Sequence, residues 1–428
     1  LLSFGRTAQA QLVVRTIGGV SIDANGVLDT ATIQLQKSAS EMLREKLQEI
    51  PEDLADKTEF RLVSLRGLAE EIHRLGVTHT HELPDEIRCL SGLLRVEYVV
   101  VVPERNDIVI AGPAEAWTLS TSGDLVGATT GQPIVLLDDL LVALRSVEAA
   151  RTVGITCSID PTAAGRQALN RYLSKQRQFR PNMVSEIEQV MGAQQITITG
   201  VPQDSHFARV LAASDYRMKR YAMHLEEAPI AGMPSFLQMM KSSRAKSKNV
   251  MPRWWLACDY ESVARTEDGL GWQIRGKGVK AMTEDEYVTE AGQVSGTGRV
   301  DPIAQKWADN MTSQYESLAQ ADPAFGQLRD LMDLSIVAAL ITREDLATQA
   351  GFDLATLTNP QLEIERWPAP KTVATHSSFL KQGRNFIVTA SGGVQIDSWY
   401  HASQIEVKPA LSSVVEKVNA SQATSWRW

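Results

Sequence analysis

Cysteine is scarce in this chain: Cys89, Cys157 and Cys258 are the only three in 428 residues. They are far apart and odd in number, which excludes a disulfide framework and the paired spacing of a zinc motif. Each has apolar neighbours and reads as a small buried hydrophobe, though one disulfide is compatible with an exported protein. Long apolar runs are missing as well, and no stretch approaches the roughly 18 residues of a membrane span. Positive charge is in deficit, 43 Lys and Arg against 51 Asp and Glu, for a formal net charge of -8. That balance argues against nucleic acid as a general partner, because polyphosphate recognition needs a basic surface. Catalytic signatures are also lacking. There is no Gly-x-Ser-x-Gly elbow, and Gly269-Leu270-Gly271 and Gly276-Lys277-Gly278 form neither a dinucleotide fingerprint nor a phosphate loop. No cofactor is expected.

What is present describes a soluble globular protein, 43% hydrophobic and 22% charged. Its length calls for more than one core. Composition shifts suggest an N-terminal α/β domain at 11–150, central strand-helix modules at 151–298, a helical region at 299–366, and a β segment with a tail at 367–428. The expected fold class is α+β or mixed α/β: small strand-helix modules, a mostly helical C-terminal region, and β segments at both ends. The informative stretch is 194–240. Ile196 and Ile198 alternate with threonines as in a half-buried strand. Asp204 or Ser205 then caps a helix with apolar positions at Phe207, Val210, Leu211, Met218 and Tyr221. A similar unit starts at Ile155, so a βαβ-type pairing in one sheet is expected. Helices are expected at 38–50, 65–75, 136–147, 183–191, 302–318 and 325–341, and 283–297 reads as an acidic loop.

The candidate chemistry is thin. His79 and His81, with Glu86 nearby, are the only cluster resembling metal ligands; an alternating strand would place both rings on one face. A surface loop is the competing explanation. Asp204-Ser205-His206 holds the three residue types of a triad, but adjacent residues cannot form that geometry, so His206 is expected to pack at the helix start. The pairs Asp138/Asp139 and Asp330/Asp333 read as solvated helix faces. Lys241, Arg244, Lys246 and Lys248 form a basic loop ahead of Trp254-Trp255, able to hold an anionic polymer or glycan, or simply to be solvated. The block Asp215, Tyr216, Arg217, Lys219 and Arg220 suits ion pairing across a subunit contact, with a solvated helical face as the competing explanation. Gly18-Gly19 and Gly392-Gly393 both open Gly-Gly-Val-x-Ile-Asp, which suggests equivalent edge strands pairing with each other or with a neighbour, unless the echo is chance. Trp426 and Trp428 end the chain in an aromatic tail of the kind that docks on neighbours.

Taken together, His206-Phe-Ala-Arg-Val-Leu211, Asp215-Tyr-Arg-Met-Lys-Arg220, Pro252-Arg-Trp-Trp255, Leu328-Arg-Asp-Leu-Met-Asp-Leu334 and the Gly-Gly-Val-x-Ile-Asp ends resemble a family of exported proteins of unknown function, found mainly in planctomycete bacteria. The blocks run over most of the chain and are specific in combination. The resemblance implies a bacterial origin and export, and it supplies no activity or site residues. Leu1-Leu2 followed by Ala8-Gln9-Ala10 fits the end of a signal region. The leading expectation is a non-catalytic structural protein of the cell envelope or an extracellular assembly, in the periplasm, envelope or cell surface. It would self-associate into a ring, tube or filament, with other envelope proteins as further partners. The alternatives are a metal-dependent hydrolase using the His79/His81 region and a module binding anionic polymers or glycans.

Overall fold

A computed structural model describes residues 16–176, 180–243, 252–288, 294–296, 298, 300–382, 384–388, 390–421 and 426–427. It is mixed α/β, as read from the sequence, with two principal sheets. The larger has nine strands in the order Val20–Ile22, Val27–Thr30, Thr372–Val373, Gln194–Thr199, Ile155–Pro161, Ser391–Ile396, Pro252–Asp259, Gly278–Val288 and Val294–Gly296. The smaller has six: Ile405–Val407, Val263–Arg265, Gly271–Gln273, Tyr98–Val102, Asp107–Ala114 and Thr58–Ser64. The large sheet thus takes strands from the N-terminal, central and C-terminal segments alike.

Alternation fixes which face of the large sheet is covered. Burial alternates residue by residue along Gln194–Thr199, Ile155–Pro161 and Pro252–Asp259. One face therefore meets the core, and the other carries Thr197, Thr199 and Gln395 to solvent. The covered face packs on helix His206–Ala222, which lies beside helix Pro323–Arg343. That second helix is buried from Ala324 through Ile341. It is apolar on nearly every side, as a helix surrounded by protein must be, and Asp322 caps it by accepting from Ala324 N. Trp254, Phe236 and Trp307 stack edge-on beneath the sheet, with centroids 5.0 Å apart in each contact.

Several local expectations are corrected. Ile155–Pro161 and Gln194–Thr199 are adjacent but antiparallel, with Thr156 opposite Thr199. The βαβ reading fails because two short helices, Ala163–Leu173 and Met183–Met191, stand between the strands and pack on each other. Such a helical hairpin returns the chain to the end it left, so the next strand runs back. Residues 283–288 extend strand Gly278–Val288 instead of looping; 283–285 pair with 252–254 in unbroken register, and 286–288 pair with strand Val294–Gly296. The helix expected at 38–50 is Ile33–Arg44, because Thr32 caps it earlier by accepting from Leu35 N. The 302–318 helix is broken at Gln314 into Pro302–Ser313 and Tyr315–Ala321. All three cysteines are buried and free.

The glycine echo also resolves differently at its two ends. Val20–Ile22 is the margin of the large sheet, whereas Ser391–Ile396 lies inside it between Ile155–Pro161 and Pro252–Asp259. The two segments are not equivalent edges and do not pair with each other.

Candidate functional site

Two helix N-termini converge on one cavity. The first opens helix Leu137–Val153, which carries Asp138 and Asp139 in its first turn, where carboxylates complement the exposed backbone N–H groups. The second opens helix His206–Ala222, whose cap Ser205 accepts from Ala208 N. Their meeting places His206 Nδ1 2.9 Å from one Asp139 oxygen and 3.1 Å from the other. Burial alone lowers the His206 pKa, but the Asp139 carboxylate outweighs it, and the ring titrates above the ordinary histidine value. A carboxylate on Nδ1 fixes the ring orientation and leaves Nε2 as the free nitrogen.

His206 forms part of the wall of a cavity of about 360 Å³. Asp85, Asp124, Asp138, Gln327 and Trp367 line it too. Asp124 accepts from Gly18 N at 3.1 Å, Gln327 Nε2 at 3.0 Å and Ser122 Oγ at 2.5 Å. Burial pushes its pKa above the usual carboxylate value, against those donors. Asp138 is pushed up in the same way, while one of its oxygens accepts from Glu365 N at 3.1 Å. Asp85 is matched by Arg88 at 3.0 Å and accepts from Gln48 N at 2.8 Å. The Trp367 ring lies 6.1 Å from the His206 ring, with the Arg209 guanidinium 4.8 Å above it. The arrangement is a small chamber of mixed lining: leucine and isoleucine side chains, one aromatic ring, an oriented imidazole and several carboxylates. That combination suits binding and proton transfer.

Residues 157–236 match a protein-family model described as a protein of unknown function (DUF1598). No curated protein and no solved structure matches the chain. The DUF1598 segment contributes His206 and the Asp215–Arg220 block, while Asp124, Asp138, Asp139 and Gln327 come from outside it. The cavity is therefore assembled where the matched segment meets the rest of the fold.

The residues singled out from sequence fall elsewhere. His79 is half-buried and His81 exposed, with ring centroids 5.3 Å apart, and only His81 reaches the cavity rim. They lie not on an alternating strand but where His79 leads into the short 3-10 turn Thr80–Glu82. Glu86 is turned to Arg427 at 2.7 Å. Among the described residues no group of three or more His, Cys, Asp and Glu could hold a metal. The Asp215–Arg220 block works inside the chain. Lys219 bonds Asp215 at 3.0 Å, and Arg217 pairs with Asp322 at 2.9 Å and Glu226 at 2.8 Å. Arg220 reaches Glu226 at 3.2 Å and the Tyr216 hydroxyl at 3.2 Å.

Gly18 donates to Asp124, and beside it Gly19 has an open φ of +78° at the sheet margin. Gly392 and Gly393 lie in the sheet interior. Trp426 is buried on its own chain, its carbonyl accepting from Ser64 N at 2.8 Å. Trp428, Arg244, Lys246 and Lys248 lie outside the described residues, and Lys241 is exposed at the end of helix Phe236–Ser242. Neither acidic pair taken for a solvated helix face fits that reading. Asp139, Asp330 and Asp333 are buried, and Arg95 holds Asp333 with two bonds of 2.9 Å. A signal was present at Asp138-Asp139: two carboxylates flanked by Leu136-Leu137 and Leu140–Leu144 are acids on an otherwise apolar helix.

Proposed function

We propose that this chain binds a small polar molecule in the cavity beside His206 and acts on it by general acid–base chemistry. The observation that supports this reading is the His206–Asp139 contact of 2.9 Å in the wall of a cavity of about 360 Å³. A carboxylate-oriented imidazole is the commonest biological proton-transfer group. Diethyl pyrocarbonate, which acylates neutral imidazole nitrogens, tests it. His206 is expected to be modified, at a rate that falls as pH drops through a midpoint above about 6.5. Asp139→Asn should lower that midpoint, since the main charge opposing burial is then lost and only the weaker Asp138 field remains. A His206 that stays unmodified while His79 and His81 react would remove the reading.

A second reading is favoured by the free margin of the large sheet. Among the described residues Val20–Ile22 has a partner strand, Val27–Thr30, on one side only, and such an edge can template pairing with another copy. Together with the resemblance to exported planctomycete-type proteins, this supports a self-associating component of the cell envelope. The described residues first assigned to that contact are engaged within the chain, so the margin alone carries it. Light scattering across a hundredfold concentration range should then show an oligomer that Ser21→Pro dissociates. A concentration-independent monomer would end this reading.

A further inference from the structure

The cavity's charge is unbalanced, and the imbalance specifies a ligand class. Resting on the small-molecule reading of the same site, we propose that the ligand is a small organic cation, an amine or guanidinium rich in N–H donors. Four carboxyl side chains line the inner cavity: Asp85, Asp124, Asp138 and Glu365. A fifth, Asp139, stands behind His206. Arg88 is the inner guanidinium, shared between Asp85 at 3.0 Å and Glu365 at 3.9 Å, and His206, when protonated, offsets only the Asp139 it contacts. Lys46, His81 and Glu82 stand at the exposed rim and leave the interior unneutralised.

A second observation points the same way. Gln327 is 7% exposed and lines the cavity, and its Nε2 is committed to Asp124. Its Oε1 has no donor among the described residues. A buried acceptor without a donor is costly, by roughly 1–3 kcal/mol, and a ligand N–H is the complementary group. Carboxylates and an orphan amide oxygen are all acceptors, so an anionic ligand would meet repulsion from these groups, while the rest of the wall includes apolar side chains such as Leu83, Leu119 and Leu136. Burial that raises the Asp124 and Asp138 pKa values would be relieved by a bound positive charge, which favours their ionised forms.

Three probes of one length separate the possibilities: 1,4-diaminobutane, 1,4-butanediol and succinate, titrated calorimetrically into the intact chain at low salt. The diamine is expected to bind saturably, the diol and dianion not at all. Asp138→Asn should weaken diamine binding at least tenfold, and Glu148→Gln, an exposed carboxylate on the same helix, should leave it unchanged. Because Asp138→Asn keeps the acceptor for Glu365 N, it is expected to fold; circular dichroism verifies this. Diol or succinate binding that depends on Asp138 would overturn the cation assignment and leave the cavity as a ligand site. Diamine binding lost equally in both variants, or in neither, would reduce it to diffuse attraction by an acidic protein and overturn the proposal. Failure of all three probes also overturns it, while His206 acylation decides the underlying reading independently.

Discussion

Lys219→Ala is expected to destabilise the protein by about 3–5 kcal/mol at pH 7.5, measured by urea unfolding, because it strands a buried carboxylate. Asp215 is fully buried, and its partner at 3.0 Å is the Lys219 ammonium one helical turn away. The same ammonium donates to Ile159 O at 2.8 Å and lies 3.5 Å from Gly392 O, so it ties helix His206–Ala222 to two strands of the large sheet. Even with that partner, burial raises the Asp215 pKa from 3.8 to about 6. The sign follows from proton counting. Between pH 3.8 and 6 the folded state holds the proton more often than the unfolded state, so this group's contribution to stability falls as pH rises through that window. Without Lys219 the burial penalty loses its main opposition and the folded pKa climbs further. The variant should therefore lose stability more steeply with rising pH, and its deficit should shrink on acidification to pH 5 as Asp215 becomes neutral. The double change Asp215→Leu with Lys219→Met should recover most of the loss, since removing both charges leaves none unpaired. A deficit below about 1 kcal/mol that does not change with pH would show that solvent reaches the pair.

The block from Asp215 to Arg220 also shows what sequence could and could not reveal. Its helix was legible from capping at Ser205 and from apolar spacing, both of which are local. The destination of its charges was not. Arg217 finds Asp322 more than a hundred residues away, at the cap of helix Pro323–Arg343, and a lone sequence shows no such pairing. The same limit hid the cavity. Asp124, Asp138, Asp139, His206 and Gln327 are ordinary residues singly, and become a site only because two helix N-termini and the Gly18 turn meet. His79 and His81 drew notice through adjacency, which is a poor guide when ligand sets are built from distant elements. The antiparallel course of Gln194–Thr199 was likewise outside local pattern, since strand alternation fixes the buried face and says nothing of direction.

Gly393→Val should abolish folding, although valine is among the best strand formers. Ser391–Ile396 is squeezed between two neighbours, and a Cβ at Gly393 would lie 2.0 Å from Cys157 O. At Gly392 it would lie 1.6 Å from Trp254 O. Both obstacles are backbone atoms of paired strands, which cannot turn aside as a side chain does. The sheet would have to open between Ile155–Pro161, Ser391–Ile396 and Pro252–Asp259, the strands that cover helix His206–Ala222. The expected result is insoluble protein, or a loss beyond the roughly 4–5 kcal/mol that marks exceptional substitutions. Two controls separate crowding from backbone strain. Gly76 ends helix Leu65–Leu75 at φ +64°, and an added methyl there would meet nothing within 4 Å, so Gly76→Ala should cost only about 1–2 kcal/mol. Gly19, in the matching position of the N-terminal echo, has φ +78° and would meet only the flexible Gln36 amide at 3.2 Å. Gly19→Ala should therefore resemble Gly76→Ala in thermal unfolding. If Gly19→Ala and Gly393→Val were equally damaging, the two Gly-Gly-Val-x-Ile-Asp segments would share one structural cause. The expected gap between them says that one motif serves two needs, a left-handed turn at the sheet margin and close strand contact at its centre.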